Sequence, residues 1–220
     1  MKLKAHSRLG RPKDIAKRDA IMAAAAKLFL SEGFDAVTMD QVAMQAGVSK
    51  MTIYSHFDDK ETLFENFLTS ISDGMTEALD SKIDEGLSLR DRLEITGRGF
   101  LQTIGGPLIP SMLLSIIMIR KNPTLARRFY NAGPGRTRAA LITLIQKYAS
   151  RGELQVIRAE WAVDDLMGLW EGGLPAKMML GIGGPLTLSE IKRRASRAVD
   201  VFLRAYAVAP KANVLHRRPR

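Results

Sequence analysis

The sequence has no cysteine, so it can form neither a disulfide nor a thiolate metal site. Its three histidines are His6, His56 and His216. His56 stands near Asp58 and Asp59, but further ligands are missing, and helix capping is the better use of those carboxylates. Catalytic constellations are also missing. Asp164 and Asp165 are adjacent on a helix and diverge, and Glu171 lacks a partner base or metal. No enzyme activity, metal or cofactor is expected. The glycine-rich Gly181–Pro185 stretch lacks the G-x-x-x-x-G-K-[ST] pattern and reads as a turn. Strand-like alternation is absent. The basic N-terminus MKLKAHSRLGRPKD has no apolar stretch, so it is not a secretory signal, and a cytoplasmic protein is expected. One long uncharged run exists, Leu101 to Ile119, but Gly105, Gly106, Pro107 and Pro110 break it. It reads as two buried helix ends and not as a membrane span.

What is present begins with charge. The 220 residues carry a net charge of +10, and most of it lies at the two ends. Residues 1–20 hold seven Lys/Arg against Asp14 and Asp19, and the last ten hold Lys211, Arg217, Arg218 and Arg220. Basic arms on a near-neutral body suit a polyanion such as DNA, where they neutralise phosphates and release counterions. Charged ends that only maintain solubility are the other reading.

Helical spacing dominates the rest. From Asp14 to Ser31, Ile21, Ala25, Leu28 and Phe29 share one face, and Gly33 stops the helix with Phe34 folding back on it. Thr38 and Gln41 have capping-box spacing and open a second helix with Val42, Ala43 and Ala46 inward. Gly47 turns the chain, and Ser49 caps a third helix whose Ile53 and Phe57 point inward together. Lys50, Thr52 and Tyr54 are then left outward. Asp58 and Glu61 are spaced to start a fourth helix reaching about Ile83. Helix, Gly turn and short second helix form the helix-turn-helix layout, whose second helix enters the major groove.

The stretch AIMAAAAKLFLSEGFDAVTMDQVAMQAGVSKMTIYSHFDDKETLFENFL resembles the N-terminal domain of TetR-type transcriptional regulators, over about residues 15–68. Within residues 110–175, RFYNAGPGRTRAAL and ASRGELQ are similar to the ligand-binding region of the AefR-like subgroup. The resemblance implies roles for seven residues. Thr38 would touch a phosphate as well as cap its helix. Ser49, Lys50 and Thr52 would face the groove. Tyr54 and His56 would hold phosphates, and Lys60 would reach the backbone from the side. The residue types agree, being neutral or cationic donors. Met51 departs from the small residue common in the family. Tyr54 and His56 could instead be half-buried packing residues.

Beyond the head, helices are expected over 89–104, 110–119, 123–130, 135–150, 161–180 and 188–207. The fold expected is all-α: an N-terminal helix-turn-helix three-helix DNA-binding domain, then a larger helical ligand-binding and dimerisation domain. The divisions are a basic arm (1–13), the DNA-binding domain (14–58), the body (59–208) and a basic tail (209–220). The resemblance implies a DNA-binding transcriptional repressor, acting as a homodimer on a palindromic double-stranded operator and released by a small apolar ligand. Phe100, Ile104, Met112, Ile116, Phe129, Met167 and Trp170 would line the pocket; an ordinary core is the alternative for these residues. Leu166, Leu169, Trp170, Val199, Phe202 and Leu203 are the faces expected to pair with a second chain. A ligand-independent or architectural DNA-binding factor is the alternative function.

Overall fold

The computed structural model describes residues 12–76, 86–106, 119–182 and 184–208. Within them lie α1 (Pro12–Glu32), α2 (Met39–Gln45), α3 (Lys50–His56), α4 (Lys60–Thr76) and α5 (Leu89–Ile104). Then come α6 (Pro123–Ala132), α7 (Pro134–Ser150), α8 (Ala159–Glu171), α9 (Leu174–Met179) and α10 (Leu188–Tyr206). The described residues contain no strand, only an isolated bridge between Leu154 and Ala207. The expected helix over 110–119 lies outside the described residues except for Ile119.

The chain divides into two compact units. The first is built from the described parts of Met1–Met75, Thr103–Thr137 and Gly173–Pro185. The second is built from those of Thr76–Gln102, Arg138–Gly172 and Leu186–Arg220. Helix α4 belongs with the first unit. Phe64 and Phe67 of α4 lie 4.8 and 5.8 Å from Phe29 of α1, centroid to centroid, in one aromatic cluster. Phe34 and Phe129 complete it, at 4.9 and 4.7 Å from Phe64. Polar contacts hold α6 and the start of α7 against α4. Arg128 pairs with Glu65 at 2.7 Å, Arg136 with Asp73 at 2.6 Å, and the Ser72 hydroxyl donates to the Gly133 carbonyl at 3.0 Å.

In the second unit, Trp170 of α8 is fully buried, with Phe100 of α5 at 5.7 Å and Gly97 directly against the indole. Helices α8 and α10 pack together, and Ala162, Leu166, Ala195, Val199 and Phe202 on them are all fully buried. This corrects one expectation. Leu166, Trp170, Val199 and Phe202 are already covered within a single chain, because both helices need those faces to form their own core. The large apolar side chains left exposed on this pair are Trp161, Leu169 and Val201, beside Leu188 at the start of α10.

A second correction concerns the single helix expected over 161–180. It breaks into α8 and α9 because Gly172 and Gly173 both take left-handed backbone, with φ of 48° and 81°. Two successive residues at positive φ end a right-handed helix, and Pro175 is suited to the first turn of the next.

The start of α4 also differs from expectation. Asp59, not Asp58, caps it, accepting from the Thr62 backbone N–H at 2.6 Å. Hydrogen bonds from the Thr62 hydroxyl and then its N–H hold the Asp59 carboxyl below the usual aspartate value. Asp59→Ala should cost about 1 kcal/mol of stability near neutrality. A carboxyl depressed on folding stabilises above its unfolded value, and that contribution fades as pH falls through the folded value. Thermal melts should therefore show a gap between wild type and Asp59→Ala at pH 7 that closes on acidification.

Candidate nucleic-acid interface

The local sequence fixes how α2 and α3 are presented. Thr38, with extended φ and ψ of −116° and 155°, begins α2 with a complete capping box. Its Oγ1 accepts from the Gln41 N–H at 3.2 Å, and its own N–H donates to Gln41 Oε1 at 2.8 Å. The Thr38 hydroxyl also donates to Gln41 Oε1, at 2.9 Å, so a phosphate would have to compete for that proton. Gly47, at φ 65°, makes the turn. Ser49 then caps α3, accepting from the Thr52 N–H at 3.1 Å, with the Ser49 and Thr52 hydroxyls 2.9 Å apart.

Seven residues give α3 only about two turns, too few to stand alone. Ile53 and Phe57 anchor it, at 0% and 1% exposure. The Arg18 guanidinium of α1 lies 4.7 Å from the Phe57 ring centroid and donates to Asn66 Oδ1 of α4 at 2.8 Å. Helices α1 and α2 thus hold α3, and its other side is free to touch a partner.

That free side carries Lys50, Met51 and Tyr54, all exposed, with Thr52 half-buried beside them. His56 is half-buried, its ring 6.4 Å from that of Phe57. Lys60 stands apart from the expected phosphate role in this state. Its ammonium donates to the carbonyls of Phe34 at 2.9 Å and Asp35 at 3.3 Å, and sits 4.4 Å over the Phe34 ring. It ties the α1–α2 connection to α4.

Two further residues on this side were not picked out from the sequence. Asp40 of α2 pairs with Lys50 at 2.9 Å, and its hydrogen bond and charge raise the lysine above its ordinary value. Met44, one turn beyond Asp40, is 79% exposed. The signal existed in the pattern of α2: with Met39, Val42 and Ala43 inward, positions 40 and 44 must face out.

The proposed pocket residues are not all brought together. Phe100 and Trp170 touch in the second unit, with Met167 half-buried on α8. Phe129 is instead part of the first unit's aromatic core, 5.3 Å from Phe34 and 4.7 Å from Phe64. Ile104 is half-buried in the first unit, and Met112 and Ile116 lie outside the described residues. Among the described residues no helix is long and apolar enough to cross a membrane, and no cluster of His, Asp and Glu could hold a metal ion.

A helical first unit presenting a short, anchored second helix of a helix-turn-helix defines a DNA-binding regulator. Residues 21–67 match the bacterial regulatory proteins of the tetR family, and residues 91–208 match the AefR-like transcriptional repressor C-terminal domain. The chain belongs to the TetR family of transcriptional regulators. It is 40% identical over 86 residues to YdeS of Bacillus subtilis, an uncharacterized HTH-type transcriptional regulator, covering 39% of this chain and 41% of that protein. The chain thus matches about two-fifths of the length of such curated relatives. Solved structures align more fully. A TetR-family regulator from Mesorhizobium loti aligns with 90% of this chain and all of its own, at TM-score 0.72 and 27% identity. The flavonoid-responsive regulator FrrA aligns with 88% of this chain and 98% of its own, at TM-score 0.61 and 30% identity.

Proposed function

We propose that this regulator is a repressor that occupies a palindromic operator as a homodimer and leaves it when an apolar, ring-bearing small molecule binds. The observation that carries the reading is α3 itself. It is anchored by Ile53 and Phe57, and Lys50, Met51, Thr52 and Tyr54 face away from the anchor. Lys50 can reach guanine acceptors and the Thr52 methyl can meet a thymine methyl. Ser49 faces the groove beside them, and Tyr54 and His56 supply phosphate-directed donors. Exposed Trp161, Leu169 and Val201 on α8 and α10 support pairing with a second copy. Two-fold symmetry would set the two α3 helices about one DNA turn, ~34 Å, or more apart.

The ligand class rests on the Phe100–Trp170 pair and on likeness to a flavonoid-responsive regulator. The uncharged run ends at Ile119, just before α6, and α6 places Phe129 against Phe34 in the connection that leads to α2. A displacement of α6 would shift the support of the DNA-facing helices. Ligand and DNA must then weaken one another by the same factor.

The test uses an operator selected from fragmented genomic DNA. Thr52→Ala should lose on the order of 1–3 kcal/mol and relax one base preference, whereas Tyr54→Phe should weaken all sequences alike. Both variants should melt as wild type does. Folded variants that bind the operator as tightly as wild type would remove α3 from the interface. Flavonoids and other apolar ring compounds titrated against the labelled complex should release it; compounds that bind the protein yet leave operator affinity unchanged would remove the induction step.

A further inference from the structure

The DNA-facing side carries a charged pair whose position the fold does not require. Asp40 and Lys50 come from different helices and meet with Nζ 2.9 Å from Oδ2. Their side chains are 63% and 67% exposed, and exposed pairs of this kind contribute little to stability. Asp40 is also costly where it stands, since an acid on a surface that docks to DNA approaches phosphates. A carboxylate is tolerable there only if it meets a donor, and the donors in the major groove are the amino groups of cytosine and adenine.

The pair's remaining hydrogen-bonding capacity distinguishes these two bases. An ammonium has three N–H donors, of which Lys50 uses one on Asp40, leaving two. The Asp40 carboxylate keeps further lone pairs for an incoming donor. A G·C pair shows two acceptors, N7 and O6, followed by the N4 amino donor. An A·T pair alternates acceptor, donor and acceptor, so it satisfies only one of the two free lysine donors beside the carboxylate. Met44, one turn beyond Asp40, and Met51, next to Lys50, are 79% and 82% exposed. Docking brings these apolar side chains against the DNA with the pair and strips water from it, which makes a mismatched partner more costly.

We propose that Asp40 and Lys50 read one G·C base pair in each half-site as a unit. Lys50 donates to guanine N7 and O6 while Asp40 accepts from cytosine N4. The inference rests on reading α3 as the recognition helix and assigns Asp40 as a specificity-determining residue on α2.

The test is site selection from a random duplex library with full-length wild type, Asp40→Asn, Asp40→Ala, Lys50→Ala and the Asp40→Ala/Lys50→Ala double variant, each checked for a wild-type melt. Wild type should enrich a motif with G·C fixed at one position per half-site. Asp40→Ala and Lys50→Ala should each reduce that preference on the order of tenfold, at the same position, and the double variant should be little worse than either. Asp40→Asn should move the preference toward A·T, because an amide matches adenine N6 and N7. Asp40→Ala binding every sequence more tightly by one factor, with the motif unchanged, would overturn the proposal. So would relaxation at two different positions. A wild-type protein that enriches no motif would overturn the regulator reading itself.

Discussion

Phe129→Ala should lower the unfolding free energy by about 3–5 kcal/mol, the cost of removing a buried aromatic ring from a packed core. Phe129 is 5% exposed and meets Phe34 and Phe64 edge-on, at 5.3 and 4.7 Å. Each such aromatic pair adds about 0.5–1.5 kcal/mol beyond area burial. The cavity cannot close easily, because Arg128–Glu65 and Ser72–Gly133 hold α6 at its distance from α4. Against a typical total stability of about 5–15 kcal/mol, the variant should be marginal. Urea unfolding should show the midpoint fall, and Phe129→Leu should recover part of the loss. Operator affinity should drop as well, since Phe34 supports the connection into α2. An unchanged midpoint would mean that Phe129 does not pack in this cluster.

Gly97→Ala should destabilise the second unit despite alanine's better helix propensity. A Cβ at Gly97 would stand 2.5 Å from Trp170 Nε1 and 2.7 Å from Cε2. The indole is fully buried and backed by Phe100, so it cannot swing aside. Overpacking of this kind costs about 1–3 kcal/mol, more than the roughly 0.5–1 kcal/mol gained by removing a helical glycine. Trp170→Phe should relieve the clash by removing the pyrrole edge of the indole. It also removes a buried N–H that has no hydrogen-bond partner. In a double-mutant cycle, Gly97→Ala should be far less harmful on the Trp170→Phe background. Equal cost on both backgrounds would place the methyl elsewhere.

The parts legible in the sequence were those fixed by neighbouring residues. Thr38–Gln41 and Ser49–Thr52 set helix starts through contacts three residues apart, and Gly33 and Gly47 set turns by backbone freedom. Ile53 and Phe57 followed from helical spacing alone. What was not legible depended on distance in the chain. Nothing near Phe129 tells that it meets Phe34, ninety-five positions earlier, instead of joining Phe100 and Trp170. Lys60 reads as a free cation until the Phe34 and Asp35 carbonyls are seen to receive it. The α8–α10 face looked like surplus apolar area because a single chain's own need for Leu166, Val199 and Phe202 is a packing fact. The break at Gly172–Gly173 is local as well, since paired glycines before Leu174–Pro175 are sufficient to show it.

The central claim is that α3 reads DNA sequence for a two-fold symmetric pair of chains. Binding wild-type protein to fragmented genomic DNA, sequencing the retained fragments and footprinting the strongest one tests it most directly. The account predicts a single enriched motif with two-fold symmetry, its half-sites protected about one helical turn or somewhat more apart, and its protection lost in Thr52→Ala. Retention of fragments with no shared motif, weakened equally by salt for all sequences and unaffected by Thr52→Ala, would contradict it.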